Sequence, residues 1–395
     1  MQIQSLSVTN FRSFKRLELA FSDHITLLHG NNAQGKTTIL EAVHFLSILT
    51  SPISGYDREL VNLSCLNDNP PVGRLIAVIE KSGKTHRIEV RLILTPAVNG
   101  NNRLRKEVLM DGVKRRLFDC VGFFNSVLFL PQMTRIIEDG PDERRKYLDQ
   151  TLSQAYPGYM KSLSIYQQAI LKRNALLKQL SEKGGDENQL IYWDQLISEY
   201  GAVLIKTREE AVFELHKIAI SKHAALTKGG ELLGLDYQPS FNPWEIENTQ
   251  YSLMKSEKPN LAIETIQTRF QKSLSDLRRE EIRRGVTTIG PHRDELLFKV
   301  NGVNLGVYGS RGQIRSAVMS LKFAEIDWLK EKTGELPVLL LDETLAELDL
   351  GRRRDLLGML ENGNQSILTT ADLELFPQDF ISKCKNISIG NGVVT

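Results

Sequence analysis

The spacing of hydrophobic and polar residues changes several times along this chain, and each change marks a predicted element. Within residues 1–50, an apolar run of strand type at 24–29 is followed by apolar residues at helical spacing over 38–46. Between about residues 72 and 118, short alternating or β-rich stretches indicate β-strands. These patterns predict an α/β fold with an added antiparallel β layer.

The middle of the chain, from about residue 152 to 228, has a helical pattern. Two apolar stretches of about 25 to 30 residues are separated by a glycine-containing break at 183–186, which predicts an α-helical hairpin. Residues 290–308 return to turns and strands. We therefore expect the two ends of the chain to build one sheet, with a mainly helical lobe inserted between them.

The C-terminal part of the chain contains a strand, a helix and a second strand in succession. The apolar run 336–341 ends in Asp342 and Glu343, and helical spacing at 352–360 precedes the apolar run 366–370. In parallel sheets, ligands bind at the carboxyl ends of the strands. The two acids are therefore expected to face a ligand.

The octapeptide at 30–37 indicates what that ligand is. It reads Gly-Asn-Asn-Ala-Gln-Gly-Lys-Thr, a phosphate loop of the form G-x-x-x-x-G-K-[ST] between a predicted strand and a predicted helix. Backbone N–H groups and the helix N-terminus would surround a polyphosphate, and glycine lets the backbone come close. Lys36 is expected to reach the β- and γ-phosphates, and the Thr37 hydroxyl to bind Mg²⁺. The predicted nucleotide contacts here are Gly30, Asn31, Asn32, Ala33, Gln34, Gly35, Lys36, Thr37 and Thr38.

Composition places the chain among ordinary globular proteins, with 41% hydrophobic and 25% charged residues. No apolar run approaches the ~20 residues of a membrane span, and the strand-like N-terminus does not resemble a signal peptide. Cys65, Cys120 and Cys384 are far apart and lack the spacing of metal ligands. We expect a cytoplasmic protein with reduced cysteines and no membrane partner.

Basic residues are clustered although the net charge is only +2. Such clusters are either solvated faces or parts of a stripe that binds nucleic-acid phosphates, and the sequence does not place them on one side. The clustered residues are Arg103, Arg105, Lys106, Lys114, Arg115, Arg116, Arg144, Arg145, Lys146, Arg278, Arg279, Arg283 and Arg284.

Asp342 and Glu343 are predicted to form the second half of the nucleotide site. An Asp at the end of an apolar strand supports Mg²⁺, usually through water, and the following Glu can polarise the attacking water. With Lys36 and Thr37, the acids predict an enzyme that uses Mg²⁺ and hydrolyses a nucleoside triphosphate. We expect this nucleotide to be ATP.

A second anion-binding motif stands about thirty residues before the acid pair, where a predicted helix begins. Ser310, Gly312 and Gln313 offer a hydroxyl, backbone N–H groups and the positive end of a helix dipole. This segment resembles the signature motif of ABC-type ATPases, and Glu-Leu-Asp ending at Asp349 resembles their D-loop. If the signature acts across two protomers, a head-to-tail homodimer contains two composite sites joined by ATP.

At this point the chain closely resembles one family over nearly its whole length: RecF, the bacterial recombinational repair ATPases related to SMC proteins. Besides the phosphate loop and the signature, the resemblance rests on residues 8–14, 39–42, 130–132, 140–149, 172–178 and 290–295. The Gly-Pro-His-Arg-Asp sequence within the last segment discriminates most, because general ABC ATPases lack it.

The resemblance implies an ABC-type ATPase head and a helical lobe inserted between phosphate loop and signature. It divides the chain into 1–150 and 286–395, the two parts of the head, and 151–285, the helical lobe. It further implies ATP-dependent dimerisation on double-stranded DNA or a single/double-strand junction, slow DNA-stimulated hydrolysis, and partnership with RecR and RecO in loading recombinase at gaps.

The resemblance also assigns roles to residues outside the main motifs. Arg12 would contact a phosphate near the site, and Gln132 would occupy the Q-loop position as a catalytic residue. Gln132 stands where the family usually has an acid, and Glu343 where many members have a second Asp. The strand ending at Thr370 has no His, so sensing of the γ-phosphate would fall to the Thr370 hydroxyl.

Three other functions are alternatives to a DNA-clamping repair ATPase. A soluble ABC subunit driving a membrane permease is the main alternative, opposed by the helical insertion and by the Gly-Pro-His-Arg-Asp turn. A fused metal-dependent nuclease would need a further carboxylate cluster. A module that holds ATP without hydrolysis is opposed by Glu343. For His292 and Arg293, a buried structural turn and a DNA or nucleotide contact both remain possible.

Overall fold

The computed structural model describes residues 1–66, 68, 70–95, 103–244, 260–348, 350–361, 363, 365–390 and 393–394. Contacts within the chain separate two compact units. The head unit comprises Met1–Thr134 and Lys322–Thr395, and the lobe unit comprises Arg135–Leu321. These boundaries fall at other positions than 150/151 and 285/286, and the division into three segments stays a prediction.

The described residues form strands and helices in alternating groups. The strands are β1 (Gln2–Phe11), β2 (Phe14–Ala20), β3 (Ile25–His29), β4 (Val72–Lys81), β5 (Lys84–Thr95), β6 (Arg103–Met110), β7 (Val113–Arg115), β8 (Ser126–Phe129), β9 (Leu233–Gln238), β10 (Glu295–Val300), β11 (Val303–Asn304), β12 (Val338–Asp342), β13 (Ser366–Thr370), β14 (Lys385–Gly390) and β15 (Val393–Val394). The α-helices are α1 (Lys36–Ile48), α2 (Leu117–Cys120), α3 (Arg135–Glu138), α4 (Pro141–Ala155), α5 (Tyr159–Lys183), α6 (Leu190–Thr227), α7 (Ile263–Arg284), α8 (Leu305–Tyr308), α9 (Arg311–Thr333), α10 (Leu350–Leu360) and α11 (Gln378–Lys383).

The first sheet of the head unit has the order β15-β14-β3-β13-β12-β8, and its members from β14 to β8 are parallel. Strands β12 and β13 are buried along their whole length, as expected for strands covered on both faces. Helix α1 contacts β8, β12 and β13. The carboxyl ends of the strands therefore meet at one edge, where the phosphate loop leaves β3.

The second sheet of the head unit is antiparallel, with the order β2-β1-β4-β5-β6-β7. One face of β4 and β5 is apolar and buried, and it joins the same hydrophobic cluster as residues of α1 and β12, such as Phe45 and Leu340. The predicted α/β fold with an added antiparallel layer is confirmed.

In the lobe unit, α5, α6 and α7 contact one another, and β9, β10 and β11 form a small antiparallel sheet. The predicted helical hairpin is confirmed as α5 and α6, but α6 has 38 residues and exceeds the predicted length. Its sequence contains Gly201, a helix breaker in isolation, but the backbone there packs against Tyr166 and Phe270, which stabilises the helical path. Helix α7 was not identified from the sequence.

Candidate nucleotide-binding site

Four parallel strands of the head unit bring the predicted residues of the phosphate loop and of the acid pair to one edge. β13 lies between β3, which leads into the phosphate loop, and β12, which ends at Asp342. β8 lies on the other side of β12 and leads to Gln132. The sheet order thus explains why residues about 300 positions apart in sequence lie together.

Two glycines of the phosphate loop are required by close neighbours. A Cβ at Gly30, whose φ is +149°, would lie 2.2 Å from the carbonyl oxygen of Ile389. A Cβ at Gly35, whose φ is +97°, would lie 2.5 Å from the ring of Phe14. Because L-residues rarely adopt these backbone angles and the space is filled, the loop keeps its shape only with glycine at both positions.

The Lys36 side chain is buried and lies within the loop that precedes it. Its Nζ donates hydrogen bonds to the carbonyl oxygens of Gly30 and Asn31, at 2.8 and 3.0 Å. It also lies 3.2 Å from Oε1 of Glu343. These oxygens hold the ammonium group where the phosphates of a nucleotide would replace them as partners.

The side chains of Thr37, Asp342 and Thr369 form a hydrogen-bonded group at the half of the site where Mg²⁺ is predicted. The Thr37 hydroxyl lies 2.9 and 2.8 Å from the two carboxylate oxygens of Asp342. The Thr369 hydroxyl donates to Asp342 Oδ1 at 2.7 Å and accepts from the backbone N–H of Glu343 at 3.1 Å. Thr369 therefore positions both acids, a role that the sequence motifs did not reveal. The γ-phosphate-sensing role of Thr370 stays a prediction.

The surroundings of Asp342 fit a divalent cation. Burial raises the pKa of its carboxyl, and the Thr369 and Thr37 hydroxyls lower it only in part. Among the described residues these hydroxyls are its side-chain hydrogen-bond donors, so a buried carboxylate has only neutral donors. Hydroxyl and carboxylate oxygens are ligands that Mg²⁺ accepts, and the ion would add positive charge to that of the nearby Lys36.

Glu343 and Thr370 lie at the same edge of the sheet, but the side chain of Glu343 is partly exposed and the hydroxyl of Thr370 is hydrogen-bonded. Glu343 adopts the left-handed conformation, with φ of 44°, and its side chain is 36% exposed. Thr370 donates through its hydroxyl to the Asp372 carbonyl oxygen at 2.7 Å and accepts from the Asp372 N–H at 3.0 Å. Its hydroxyl is therefore engaged in a local turn. Gln132 is exposed on a short 3₁₀ helix after β8.

Arg12 is fixed by a carboxylate of α1. Its Nε and NH2 donate to the two oxygens of Glu41 at 2.9 and 2.7 Å, while the Ser51 hydroxyl donates to the same carboxylate at 2.5 Å. Glu41 is buried, whereas 23% of the Arg12 side chain is exposed. This bidentate pair presents one side of the guanidinium to solvent, and Glu41 is a positioning partner that the motifs did not reveal.

The signature residues cap helix α9 in the lobe unit. The Ser310 N–H donates to Oε1 of Gln313 at 3.1 Å, and the Gln313 N–H donates to the Ser310 hydroxyl at 3.3 Å, which is a capping box. Nε2 of Gln313 also donates to Glu231 Oε1 at 2.9 Å. Gly312 is exposed, with no atom within 4 Å of a Cβ position. The predicted D-loop residue Asp349 lies outside the described residues.

Two segments that carried the family resemblance contact each other in the lobe unit. Arg144 makes a bidentate pair with Glu295 at 2.6 and 2.9 Å, and Arg145 donates to the Asp294 carbonyl oxygen at 2.6 Å. Arg208 of α6 lies between the segments and donates to Asp149 at 2.9 Å and to the Pro291 carbonyl oxygen at 2.6 Å. These contacts join the two segments in the lobe unit.

The Gly-Pro-His-Arg-Asp turn is largely internal. His292 Nδ1 lies 2.7 Å from the Tyr166 hydroxyl, and burial lowers the pKa of His292 to about 4. Asp294 is buried and accepts hydrogen bonds from Arg208 and Tyr237. Arg293 is exposed and has a long contact of 3.4 Å to the Thr287 carbonyl oxygen. The structural role therefore applies to His292, and Arg293 alone offers an outward charge.

Several of the clustered basic residues are occupied by internal partners. Lys106 donates to the Leu49 carbonyl oxygen at 2.6 Å and pairs with Asp57, and Arg278 pairs with the buried Asp194 at 2.8 Å. Together with Arg144 and Arg145 they stabilise the fold. The exposed members are Arg103, Arg105, Lys114, Arg115, Arg116, Arg279, Arg283 and Arg284.

Comparison with known proteins identifies a matching family model and full-length relatives of this chain. A family model described as an AAA domain matches residues 5–278. The DNA replication and repair protein RecF of Roseiflexus castenholzii is 37% identical, and the protein of that name from Chloroflexus aurantiacus is 36% identical. The alignments cover 99% and 100% of this chain, respectively, and 99% of each relative.

A solved structure is similar over the same extent. It is described as the recombination mediator protein RecF-ATPrS in the RecFOR pathway, and it matches with a TM-score of 0.84 at 30% identity, covering 100% of this chain and 97% of that chain. A second structure, described as RecF-ATP, matches with a TM-score of 0.80 at 31% identity and covers 96% of that chain. Among the described residues of our chain, no helix combines the length and apolar character that a membrane crossing requires.

Proposed function

Because the chain belongs to the RecF family of DNA replication and repair proteins, we propose that it is an ATPase that dimerises on ATP and holds DNA as a clamp. The observation that carries this proposal is the meeting of Lys36, Thr37, Asp342 and Glu343 at one edge of the parallel sheet. These residues supply the phosphate-binding, metal-binding and water-orienting groups that phosphoryl transfer requires.

ATP and Mg²⁺ are the proposed ligands. The phosphate loop would bind the triphosphate, with Lys36 exchanging the Gly30 and Asn31 carbonyl oxygens for β- and γ-phosphate oxygens. Thr37 and Asp342 would hold Mg²⁺, and the ion would neutralise negative charge on the phosphates during transfer of the γ-phosphoryl group. Glu343 would orient the attacking water. Hydrolysis is proposed to be slow and stimulated by DNA.

We propose that the signature acts in trans. Ser310 and Gly312 lie at the exposed N-terminus of α9, which offers N–H groups and a dipole to an anion. A γ-phosphate bound to one protomer would contact this terminus of the second protomer. ATP would then join the two protomers, and hydrolysis would release them.

The clamp is proposed to act in recombinational repair and replication restart. One similar structure is described as a recombination mediator in the RecFOR pathway, and this supports RecR and RecO as partners here. The proposed task is to help load recombinase at single-strand gaps in double-stranded DNA.

The deciding experiment is analytical ultracentrifugation of the purified chain. It is run without nucleotide, with ATP-Mg²⁺, and with ATP-Mg²⁺ plus duplex DNA, beside the Lys36→Ala variant as control. We expect a monomer that dimerises with ATP and then sediments with DNA, and a variant that remains monomeric. A wild-type monomer indifferent to ATP, or a dimer that ignores DNA, would contradict the clamp.

A further inference from the structure

The outer face of the antiparallel sheet carries an organised group of basic side chains. Arg74 on β4 lies directly opposite Arg91 on β5, and Arg91 lies opposite Glu107 on β6. Residues two and four positions before Arg91, namely Glu89 and Arg87, point to the same face because side chains alternate along a strand. The opposite face of these strands is buried in the core. This arrangement leaves the charged face outward.

Three arginines converge on the single carboxylate of Glu89. Arg74 Nε and Arg91 Nε lie 2.8 and 2.7 Å from Glu89 Oε1, and Arg87 NH2 lies 3.1 Å from Oε2. Glu89 is 3% exposed, whereas the arginines are 41%, 44% and 40% exposed in the order Arg74, Arg87 and Arg91. The carboxylate is therefore a buried anchor beneath three guanidinium groups that reach solvent.

Three arginines around one carboxylate leave positive charge that is not neutralised and N–H donors that are free to bind an anion. A carboxylate neutralises one of the three guanidinium charges, so the group keeps a net charge of about +2 at neutral pH. Arg74 and Arg91 donate to Glu89 through Nε, and among the described residues their NH1 and NH2 groups have no further hydrogen-bond acceptor. The hydrogen bonds from Arg74 and Arg91 hold the pKa of Glu89 at about 2, which keeps the anchor ionised.

The same pattern continues on the next strands. Glu107, 14% exposed, lies 3.0 Å from Arg105 NH2 and 2.7 Å from Lys114 Nζ, and both cations are more than 60% exposed. Five cations thus surround two carboxylates on one face. A role in stability alone would need fewer cations, because each additional one brings like-charge repulsion and exposed ion pairs contribute little.

We propose that this outer-face basic cluster, Arg74, Arg87, Arg91, Arg105 and Lys114, binds the backbone phosphates of double-stranded DNA. The inference rests on the proposed function and names the surface that contacts DNA. Guanidinium groups suit phosphate oxygens because they offer parallel N–H donors, and Glu89 fixes their positions before binding. The five cations lie on four adjacent strands, β4 to β7. Neighbouring strands are about 4.8 Å apart, so the cluster reaches more than one phosphate.

The test measures duplex binding by fluorescence anisotropy in ATP-Mg²⁺ over a range of salt concentrations. In the variant Arg74→Gln/Arg87→Gln/Arg91→Gln/Glu89→Gln, three positive charges and one negative charge are removed together, so no buried carboxylate is left without a partner. The slope of log K against log salt should become shallower by about 0.9 to 1.8, equal to one or two lost phosphate contacts. ATP binding should be retained, because these residues are not part of the nucleotide site.

Two further variants keep the test decisive. Lys178→Gln/Lys183→Gln removes the same net charge from exposed positions at the end of α5 and should leave the slope unchanged. Arg87→Gln/Arg105→Gln leaves Glu89 and Glu107 with their other partners. If the fourfold variant does not fold, the slope is measured with this double variant instead. An unchanged slope in both cluster variants, or an equal loss in the lysine control, would overturn the inference. A wild-type chain that binds no duplex in ATP would instead contradict the proposed function.

Discussion

The Nζ atom of Lys36 lies 3.2 Å from Oε1 of Glu343, so the expected phosphate-binding cation and the expected water-orienting carboxylate form an ion pair. Each would have a different partner in the ATP-bound state, phosphate oxygens for Lys36 and water for Glu343. Binding of the triphosphate in the proposed way would therefore separate them. We propose that the ion pair couples filling of the phosphate loop to the release of the Glu343 carboxylate.

Replacing Glu343 with Gln should separate binding from hydrolysis. The amide keeps the shape of the side chain but cannot accept a proton, so turnover should fall by about 10²- to 10⁴-fold. ATP affinity should be retained or increased, because Lys36 loses an ionic competitor of the phosphates. ATP hydrolysis by phosphate release and ATP affinity by fluorescent-nucleotide titration measure the two effects.

The matched control for this variant is Glu374→Gln, which changes an exposed acid in the same unit and should alter neither quantity. The Glu343→Gln chain should also accumulate as an ATP-bound dimer in sedimentation. If it stays monomeric with ATP and Mg²⁺, the composite-site model is wrong.

Thr369 should be more important for hydrolysis than its neighbour Thr370. Thr369→Val removes the hydroxyl that joins Asp342 Oδ1 to the N–H of Glu343, so both acids lose a positioning contact. A hydrogen bond to a charged group contributes about 1.5 to 3 kcal/mol, so we expect turnover to fall by about tenfold or more. Thr370→Val removes only the local turn with Asp372 and should have a smaller effect. A greater loss of turnover with Thr370→Val than with Thr369→Val would contradict this ranking.

Most elements of the sheets could be predicted because their signals are local. The run at 366–370 coincides with β13, and the glycine loop fixed the end of β3 and the start of α1. Helix α7 was missed although residues such as Phe270 and Leu274 lie on its buried face, because they are separated by many charged residues. Its packing against α5 and α6 supplies the apolar partners that a single helix pattern does not show.

The site was predictable only where a motif named the residue. Lys36, Thr37 and Asp342 belong to recurring patterns, but Thr369 and Glu41 are ordinary residues whose importance comes from strand order and helix position. Arg74, Arg87 and Arg91 of the outer-face basic cluster were missed for a similar reason. They alternate with apolar residues along β4 and β5, so they do not form a run of basic residues, and only strand pairing brings them together.

Mixing two inactive variants should reveal whether the composite sites act in trans. Lys36→Ala removes the phosphate-binding cation, and Ser310→Glu places a negative charge at the signature terminus. Each variant alone should be inactive. In a mixed dimer, the intact phosphate loop of one protomer meets the intact signature of the other, so part of the ATPase activity should return. Phosphate release over a range of mixing ratios measures this. Activity that never exceeds that of the separate variants would argue against the trans arrangement.

Acid should destabilise the head unit partly through His44. Burial, with a smaller effect of the Lys322 charge, lowers the pKa of His44 from 6.5 to about 3. Between pH 6.5 and about 3, His44 is therefore protonated in the unfolded chain but neutral in the folded chain. The contribution of His44 is complete above pH 6.5, and about 1.4 kcal/mol is lost per pH unit as the pH falls toward 3.

His44→Gln should therefore flatten the pH dependence of the free energy of unfolding, measured by urea denaturation between pH 7 and about 4. The matched control is His24→Gln, which changes an exposed histidine of the same unit. Parallel curves for wild type and His44→Gln would show that His44 is not responsible.

Arg173 should be essential for the stability of the lobe unit. It is fully buried, and it joins Asp194 at 2.7 Å and Glu281 at 2.6 Å, thereby linking α5 to α6 and α7. Arg173→Met keeps the length of the side chain but leaves Glu281 without its cation, and breaking a buried pair in this way costs about 3 to 5 kcal/mol. Lys172→Met, at the exposed position one residue earlier, is the control and should cost less than about 0.5 kcal/mol. Urea midpoints followed by circular dichroism compare the two, and similar losses in both variants would mean that the charge network contributes no more than an ordinary surface residue.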